Sequence, residues 1–240
     1  MRKSFVEWIK AASPDVICLQ EIKATPEQVD YSAFTDLDYH LYWYPAKKKG
    51  YSGTAIFSKI KPDHVEYGIN IPKYDDEGRV IRVDISDLSI ICAYFPSGSS
   101  GSARQEYKMD FLTDFEIYVK ELRTTKPNLI VCGDYNICHK AMDIHNPNAN
   151  KNSSGFLPEE REWMDNWISS GFIDTFRYFN STAHNYTWWS YRSGARQRNL
   201  GWRIDYFMAT KNLENKLKSA RILSDAMHSD HCPLSLEILQ

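Results

Sequence analysis

The chain lacks any hydrophobic stretch that could span a bilayer. Its longest apolar runs, such as Val16–Leu19 and Leu129–Cys132, fall far short of the ~20 residues a spanning helix needs. It also lacks a surplus of charge. Twenty-nine basic against 31 acidic side chains leave a net −2, which excludes a uniformly basic surface while leaving room for a local basic patch. Low-complexity tracts, repeats and linkers are absent, and 42% hydrophobic with 25% charged residues excludes disorder and collagen. The five cysteines (18, 92, 132, 138 and 232) are odd in number and form no C-x-x-C pair. That pattern argues for buried free thiols in a reducing compartment rather than a disulfide framework. After Met1-Arg-Lys, the residues Glu7, Trp8 and Lys10 stand where a signal peptide would be apolar. The expected location is the cytoplasm. A G-x-x-x-x-G-K-[ST] loop and a G-x-S-x-G elbow are both missing, which argues against a P-loop NTPase or a hydrolase of the elbow type. Ser97–Ser102 is rich in Gly and Ser but carries no lysine; a flexible loop explains it at least as well as a phosphate cradle.

What is present is enough for one sizeable domain. A chain of 240 residues buries a core without metal or disulfide staples. Phe5, Val6, Trp8, Ile9 and Ala12 recur at helical spacing, and Ser13-Pro14 stops that helix. Val16–Leu19, His40–Tyr44, Gly53–Phe57, Val80–Ile85, Ser89–Phe95, Leu129–Cys132, Trp202–Ala209 and Leu234–Leu239 read as strands. Tyr107, Phe111, Phe115, Tyr118, Val119 and Leu122 mark a long amphipathic helix, and Arg161–Ile168 a short one. The order is not a strict βαβ repeat, so the expectation is α/β with mixed or antiparallel sheets flanked by helices.

Polar residues cluster where apolar runs end. Glu21 follows Val16–Leu19, and Asp134 and Asn136 follow Leu129–Cys132. Asp205 is embedded in Ile204–Phe207, and Asp230-His231 precede the last strand. Singly, each reads as a turn former, a cap or a satisfied histidine. Asp205 resists that reading, because a buried charge is costly without a partner. Collectively they form an oxygen-rich set with no thiolate cluster, at the strand ends where α/β folds gather sites. Such donors suit Mg²⁺ or Mn²⁺ rather than structural zinc, and an acid, a histidine and a divalent ion can hydrolyse phosphodiesters.

Asn185–Ile204 holds four arginines (192, 196, 198 and 203), three tryptophans, two tyrosines and no acid. Arginines pair with phosphates, and aromatic rings pack on sugars or bases. About half of these aromatics are expected to be core. Lys47-Lys48-Lys49 is a second basic cluster, read as a solvated loop.

Leu19-Gln-Glu21, Gly133-Asp-Tyr-Asn136, Gly201-Trp-Arg-Ile-Asp205 and Ser229-Asp-His231 occur in this order. So do Tyr51–Phe57, Tyr94–Gly98, His139-Lys140, Asp143–His145, Gly155–Arg161, Asp174–Arg177 and Tyr186–Trp189. Together they resemble the exodeoxyribonuclease III family of abasic-site endonucleases, within the endonuclease/exonuclease/phosphatase superfamily, over nearly the whole chain. The resemblance implies a four-layer α/β sandwich, two mixed sheets packed face to face with helices outside. It implies a Mg²⁺-dependent DNA repair nuclease, Mn²⁺ substituting, that cuts 5′ to abasic sites in double-stranded DNA and trims 3′ ends, as a monomer. It implies that Glu21 binds the metal, with Asp134, Asn136, Asp230 and His231 in the wider donor set. Asp134 would activate the attacking water, Asn136 would hold the scissile phosphate, and Tyr94 and His231 would contact it. Asp230 would orient His231 or serve the metal, and Asp205 would be important for activity beside the site. Trp188 and Trp202 would line the pocket for a flipped, baseless sugar, which costs less to extrude than a paired nucleotide. Arg192 and Arg203 would meet the DNA. The family's front strand, which carries an asparagine, has no counterpart before the first helix, so residues 1–240 are expected to be one domain that is N-terminally incomplete. Two other functions fit the residues less well: a superfamily phosphodiesterase or phosphatase acting on inositol phosphates or lipids, and a DNA-binding protein impaired in catalysis.

Overall fold

Thr54-Ala-Ile-Phe-Ser58 is buried at every position rather than at alternate ones, so both faces of this strand must be covered. The computed structural model, which describes residues 3–239, shows how. The chain divides into two units, Met1–Tyr94 with Leu129–Gly133, and Phe95–Asn128 with Asp134–Gln240. Met1 and Arg2 lie outside the described residues.

The first unit opens with α1 (Lys3–Ala12), β1 (Val16–Gln20), α2 (Ser32–Thr35), β2 (His40–Tyr44) and β3 (Thr54–Ser58). It continues with β4 (His64–Tyr67), α3 (Pro72–Asp75), β5 (Val80–Ile85), β6 (Leu88–Tyr94) and β7 (Leu129–Asp134). β3 is central in an antiparallel sheet of order β1-β3-β2, with Ile17 opposite Phe57 and Leu41 opposite Phe57 on the other side. Ala55 and Phe57 join Ile9, Ile17, Phe34 and Tyr39 in one apolar cluster, to which α1 adds Phe5, Val6 and Trp8. The opposite face meets β5 and β6, in a sheet portion of order β4-β5-β6-β7. A helix and two sheets are thus layered within this unit, as the α/β sandwich expectation requires.

All five thiols are free. Cys92, Cys132, Cys138 and Cys232 are buried and Cys18 is half-buried. Gly133, at φ +142°, closes β7: a Cβ there would lie 1.9 Å from the Ala93 carbonyl oxygen, so no side chain fits.

The second unit contains α4 (Ser102–Leu122), α5 (Pro147–Asn150), α6 (Pro158–Ser169), β8 (Phe172–Asp174), α7 (Thr175–Phe179) and β9 (Trp188–Trp189). β10 (Gly201–Trp202), β11 (Asp205–Thr210), β12 (Leu217–Ile222) and β13 (Leu234–Ile238) complete it. β11 pairs antiparallel with β8, β9 with β10, and β12 with β13. The stripe that α4 buries is Lys108, Phe111, Leu112, Phe115 and Val119; Tyr107 and Tyr118, expected in it, are only half-buried. Phe111 and Phe115 pack on Phe95, and Phe95 stacks on Tyr135 at 4.1 Å. Trp163, Trp167 and Phe172 extend the aromatic core. Each such side chain contributes ~1.5–3 kcal/mol by burial. Tyr135 is therefore an anchor: its place in the core fixes the acid and the amide on either side of it.

Trp202–Ala209, expected as one strand, is two. Arg203 N–H turns away to the Asp143 carbonyl at 2.8 Å, so β10 ends at Trp202 and β11 begins at Asp205.

Candidate active site

Three segments run side by side in the second unit and bring distant residues together. Thr187 N–H donates to the Trp202 carbonyl, Trp189 N–H to the Asp230 carbonyl, and Cys232 N–H to the Thr187 carbonyl, at 2.8–3.0 Å. The buried Thr187 hydroxyl accepts from Ile204 and Asp205 N–H at 3.0 and 3.1 Å. Tyr135 N–H donates to the Ile204 carbonyl at 2.9 Å, and the Tyr206 hydroxyl donates to the Ile137 carbonyl at 2.8 Å. These bonds tie the Asp134–Asn136 turn, the head of β11 and the Ser229–His231 turn into one frame.

Asp134, Asp205 and His231 each present a ligand-competent atom, and these atoms lie within 4.8 Å of one another. His231 Nδ1 donates to Asp205 Oδ2 at 2.9 Å. Burial opposes a charge on the imidazole, but Asp205, with Asp134 and Asp230, outweighs it and holds the pKa at about 10. His231 is therefore a cation at neutral pH. It can donate a hydrogen bond or neutralise a phosphate; it is not a free base. The resemblance gave Asp230 the orienting of this ring or a place at the metal; the carboxylate bonded to the ring is Asp205. The Asp230 carboxylate accepts from Trp188 Nε1 at 3.0 Å and from the Ser229 hydroxyl at 3.0 Å. Burial would raise its pKa, but Trp188 and His231 hold it below the usual carboxylate range.

Asn136 has a left-handed backbone, φ +53°. Its N–H donates to Asp134 Oδ1 at 2.8 Å, and its amide Nδ2 donates to Asp134 Oδ2 and to the Phe95 carbonyl, both at 3.0 Å. The turn thus orients the buried Asp134 through its own amide neighbour. Three carboxylates (134, 205 and 230) against one imidazolium leave this corner negative. Carboxylate and amide oxygens with an excess of negative charge fit a hard divalent cation.

Trp188 and Trp202, both half-buried, meet edge to face at 6.1 Å beside a cluster of Cys138, Ile144, Phe156 and Ile204. Arg192 is exposed. Arg203 is not: it is fully buried, with Nε on Asp143 at 2.7 Å and Nη2 on Asp143 and Asp174 at 3.1 and 2.7 Å. The expected DNA contact is corrected on this ground, because a guanidinium enclosed by two carboxylates has no open face for a phosphate. Arg196 is likewise spent on the carbonyls of Ser224, Ala226 and Ser229.

Glu21 and Tyr94 belong to the first unit. Glu21 stands just past β1, exposed, with φ +53°, and pairs with Lys23 at 2.8 Å. Tyr94 ends β6, and the Arg79 guanidinium lies 5.1 Å from its ring centroid. Sequence reasoning overlooked Thr187 and the buried pair Lys108–Glu160. The lysine left a signal, a cation on the apolar stripe of α4; the threonine left none.

The pattern of the Endonuclease/Exonuclease/phosphatase family matches residues 2–231, and the chain belongs to that family. Among its relatives, an exodeoxyribonuclease of Bacillus subtilis is 44% identical over 99% of this chain and 94% of its own length. The DNA repair nuclease APEX1 of Danio rerio is 38% identical, over 98% of this chain and 77% of its own. A Neisseria 3′ phosphatase solved with a product DNA hairpin superposes with a TM-score of 0.91 at 28% identity, covering 100% of this chain and 95% of its own. An AP endonuclease from Archaeoglobus fulgidus gives 0.86 at 30%, covering 97% and 92%. The α/β sandwich is the fold these structures share with the chain.

Proposed function

We propose that this protein hydrolyses the DNA backbone 5′ to abasic sites and trims 3′ ends, with Mg²⁺ as the cation and Mn²⁺ as a substitute. It is a DNA repair nuclease of the exodeoxyribonuclease class. The observation that carries the assignment of roles is the convergence of Asp134, Asp205 and His231 within 4.8 Å, with His231 held positive. Asp134, oriented by the Asn136 amide, is the group that orients and deprotonates the attacking water. His231 donates to a phosphate oxygen as negative charge grows on it, and Asp205 keeps the ring charged and aimed. Asn136 steadies the scissile phosphate. Asp134, Asn136 and Asp230 would hold the cation, which would neutralise phosphate charge and acidify water; His231, expected among the ligands, has no lone pair to offer while it is an imidazolium and serves as a donor instead. Trp188 and Trp202 wall the pocket for a baseless sugar, and Arg192 reaches the DNA backbone. For Glu21, metal binding, and for Tyr94, phosphate contact, are the roles proposed. The protein acts as a cytoplasmic monomer.

The test is a nicking assay on a duplex with one abasic analogue, in Mg²⁺ and in EDTA, beside a 3′-phosphate duplex and a soluble inositol phosphate. A cut 5′ to the lesion that EDTA abolishes is expected. Release of phosphate from the inositol substrate with the abasic duplex left intact would overturn the reading.

A further inference from the structure

Lys108 enters the core of the second unit on α4, in helical register with Phe111, Leu112 and Phe115, and is fully buried. Its ammonium lies 2.5 Å from Glu160 Oε1, itself fully buried, and donates to the main-chain carbonyl of Asn136 at 2.8 Å. Glu160 accepts from three further groups: Gln105 Nε2 at 3.0 Å, Gly155 N–H at 2.6 Å and Leu157 N–H at 2.9 Å.

A buried ion pair is a poor source of stability, since well-packed apolar residues of the same volume do as well or better. What this pair does is join two loops. One is the Asp134–Asn136 turn. Its asparagine is left-handed, φ +53°, a conformation that asparagine adopts more readily than other non-glycine residues. The side chains of Asp134 and Asn136 hold the turn from one side, and Lys108 holds it from behind by the carbonyl of Asn136. The other loop is Gly155–Leu157. At Gly155, φ +94°, a Cβ would stand 3.0 Å from the Asn136 carbonyl oxygen and 3.0 Å from the Trp202 ring. The Glu160 carboxylate pins the N–H of that same glycine.

We propose that Lys108 is a positioning residue for the reaction, acting through the Asn136 carbonyl to fix Asp134 and Asn136 at the phosphate, with Glu160 as the strut that carries it. The inference rests on the catalytic roles proposed for Asp134 and Asn136. Displacing reacting groups by about 1 Å can cost about 100-fold in rate, and partners one bond removed from the reacting groups carry about 10–100-fold.

The experiment compares the full chain with Lys108→Arg, Lys108→Gln and Lys108→Met. Single-turnover cleavage of the abasic duplex is measured in Mg²⁺, at a temperature well below the lowest melting point of the set. DNA affinity is measured in EDTA, and Asp134→Asn is run alongside. Expected is a turnover ranked by donor: the arginine variant within about threefold of the parent, glutamine lower, and methionine down by about 10–100-fold. DNA affinity should stay within about threefold throughout. Unchanged turnover in the methionine variant would overturn the proposal. So would turnover and affinity that decline together in the order of melting temperature, or failure of the arginine variant to recover activity while folded. If Asp134→Asn itself retains turnover, the reading of the site fails instead, and the two failures are told apart.

Discussion

Two clusters of the second unit use the same chemistry to opposite ends. In one, Asp143 and Asp174 meet Arg177 and Arg203: two carboxylates, two guanidiniums, all but Arg177 more than nine-tenths buried. In the other, Asp134, Asp205 and Asp230 gather about a single imidazolium. The first balances its charge internally and ties the Ala141–Asp143 turn to β8, to α7 and to the link between β10 and β11. The second keeps a negative surplus. A carboxylate enclosed by guanidinium is structure, whereas a carboxylate group in excess of its cations is a place for a cation and a water.

The sharpest break in that contrast is Asp134→Asn. Turnover should fall by roughly a thousandfold or more while DNA affinity is retained, because general-base catalysis alone is worth about 10²–10⁴-fold; single-turnover cleavage and a binding titration read both. Next comes Asp143→Asn, which leaves two guanidiniums without their shared partner and should cost about 3–5 kcal/mol of stability in urea melts. Burial would raise the pKa of Asp143, but Arg203 and Arg177 hold it below the carboxylate range. Its contribution is therefore present above the unfolded value near ~3.9 and lost as pH falls through the lower folded value. The variant's stability should be flatter across that acid window than the parent's.

A smaller effect isolates the pairing of Asp205 with His231. In metal-free protein, Asp205→Asn should bring the imidazole pKa down from about 10, followed by NMR of the ring protons. Because the folded value lies above the unfolded ~6.5, this pair stabilises the parent fully below that value. The benefit is lost as pH rises through about 10, and the variant should lack that alkaline decline. The least effect is expected from Arg192→Ala: a loss of severalfold in DNA affinity and a shallower salt dependence, by about one counterion, with turnover at saturation intact. An unchanged salt slope would remove Arg192 from the DNA surface.

Local pattern was enough for most strands and for the ends where the acids stand. Val16–Leu19, His40–Tyr44 and Val80–Ile85 are rich in β-branched or aromatic residues, and strands cover them, the first running one residue further to Gln20. β4, β8 and β12 went unseen for physical reasons. β4 and β8 have four and three residues, too few for a period to register. The sequence of β12, Leu-Lys-Ser-Ala-Arg-Ile, holds long polar side chains that a helix accepts equally well. The acids and the histidine of the candidate site were visible as chemistry, and Asp205 above all, since an embedded carboxylate demanded a partner and His231 supplies it. The identity of that partner was not visible, nor was the fate of Arg203. A stretch without acids looks open to anions, yet the carboxylates that consume Arg203 come from Asp143 and Asp174, 60 and 29 residues away in the chain.

One glycine sets the terms on which the Gly133–Asn136 motif can vary. Because the Ala93 carbonyl oxygen occupies the volume a β-carbon at Gly133 would need, no rotamer choice or nearby repacking makes room; only movement of a strand backbone would. In a saturation library of the four positions, Gly133 should therefore tolerate nothing, for reasons of space alone, next to an Asp134 that, on the role proposed for it, should tolerate nothing for reasons of chemistry. Selecting such a library for soluble protein rather than for activity would separate the two kinds of intolerance, with Gly133 variants lost in both screens and Asp134 variants lost in only one.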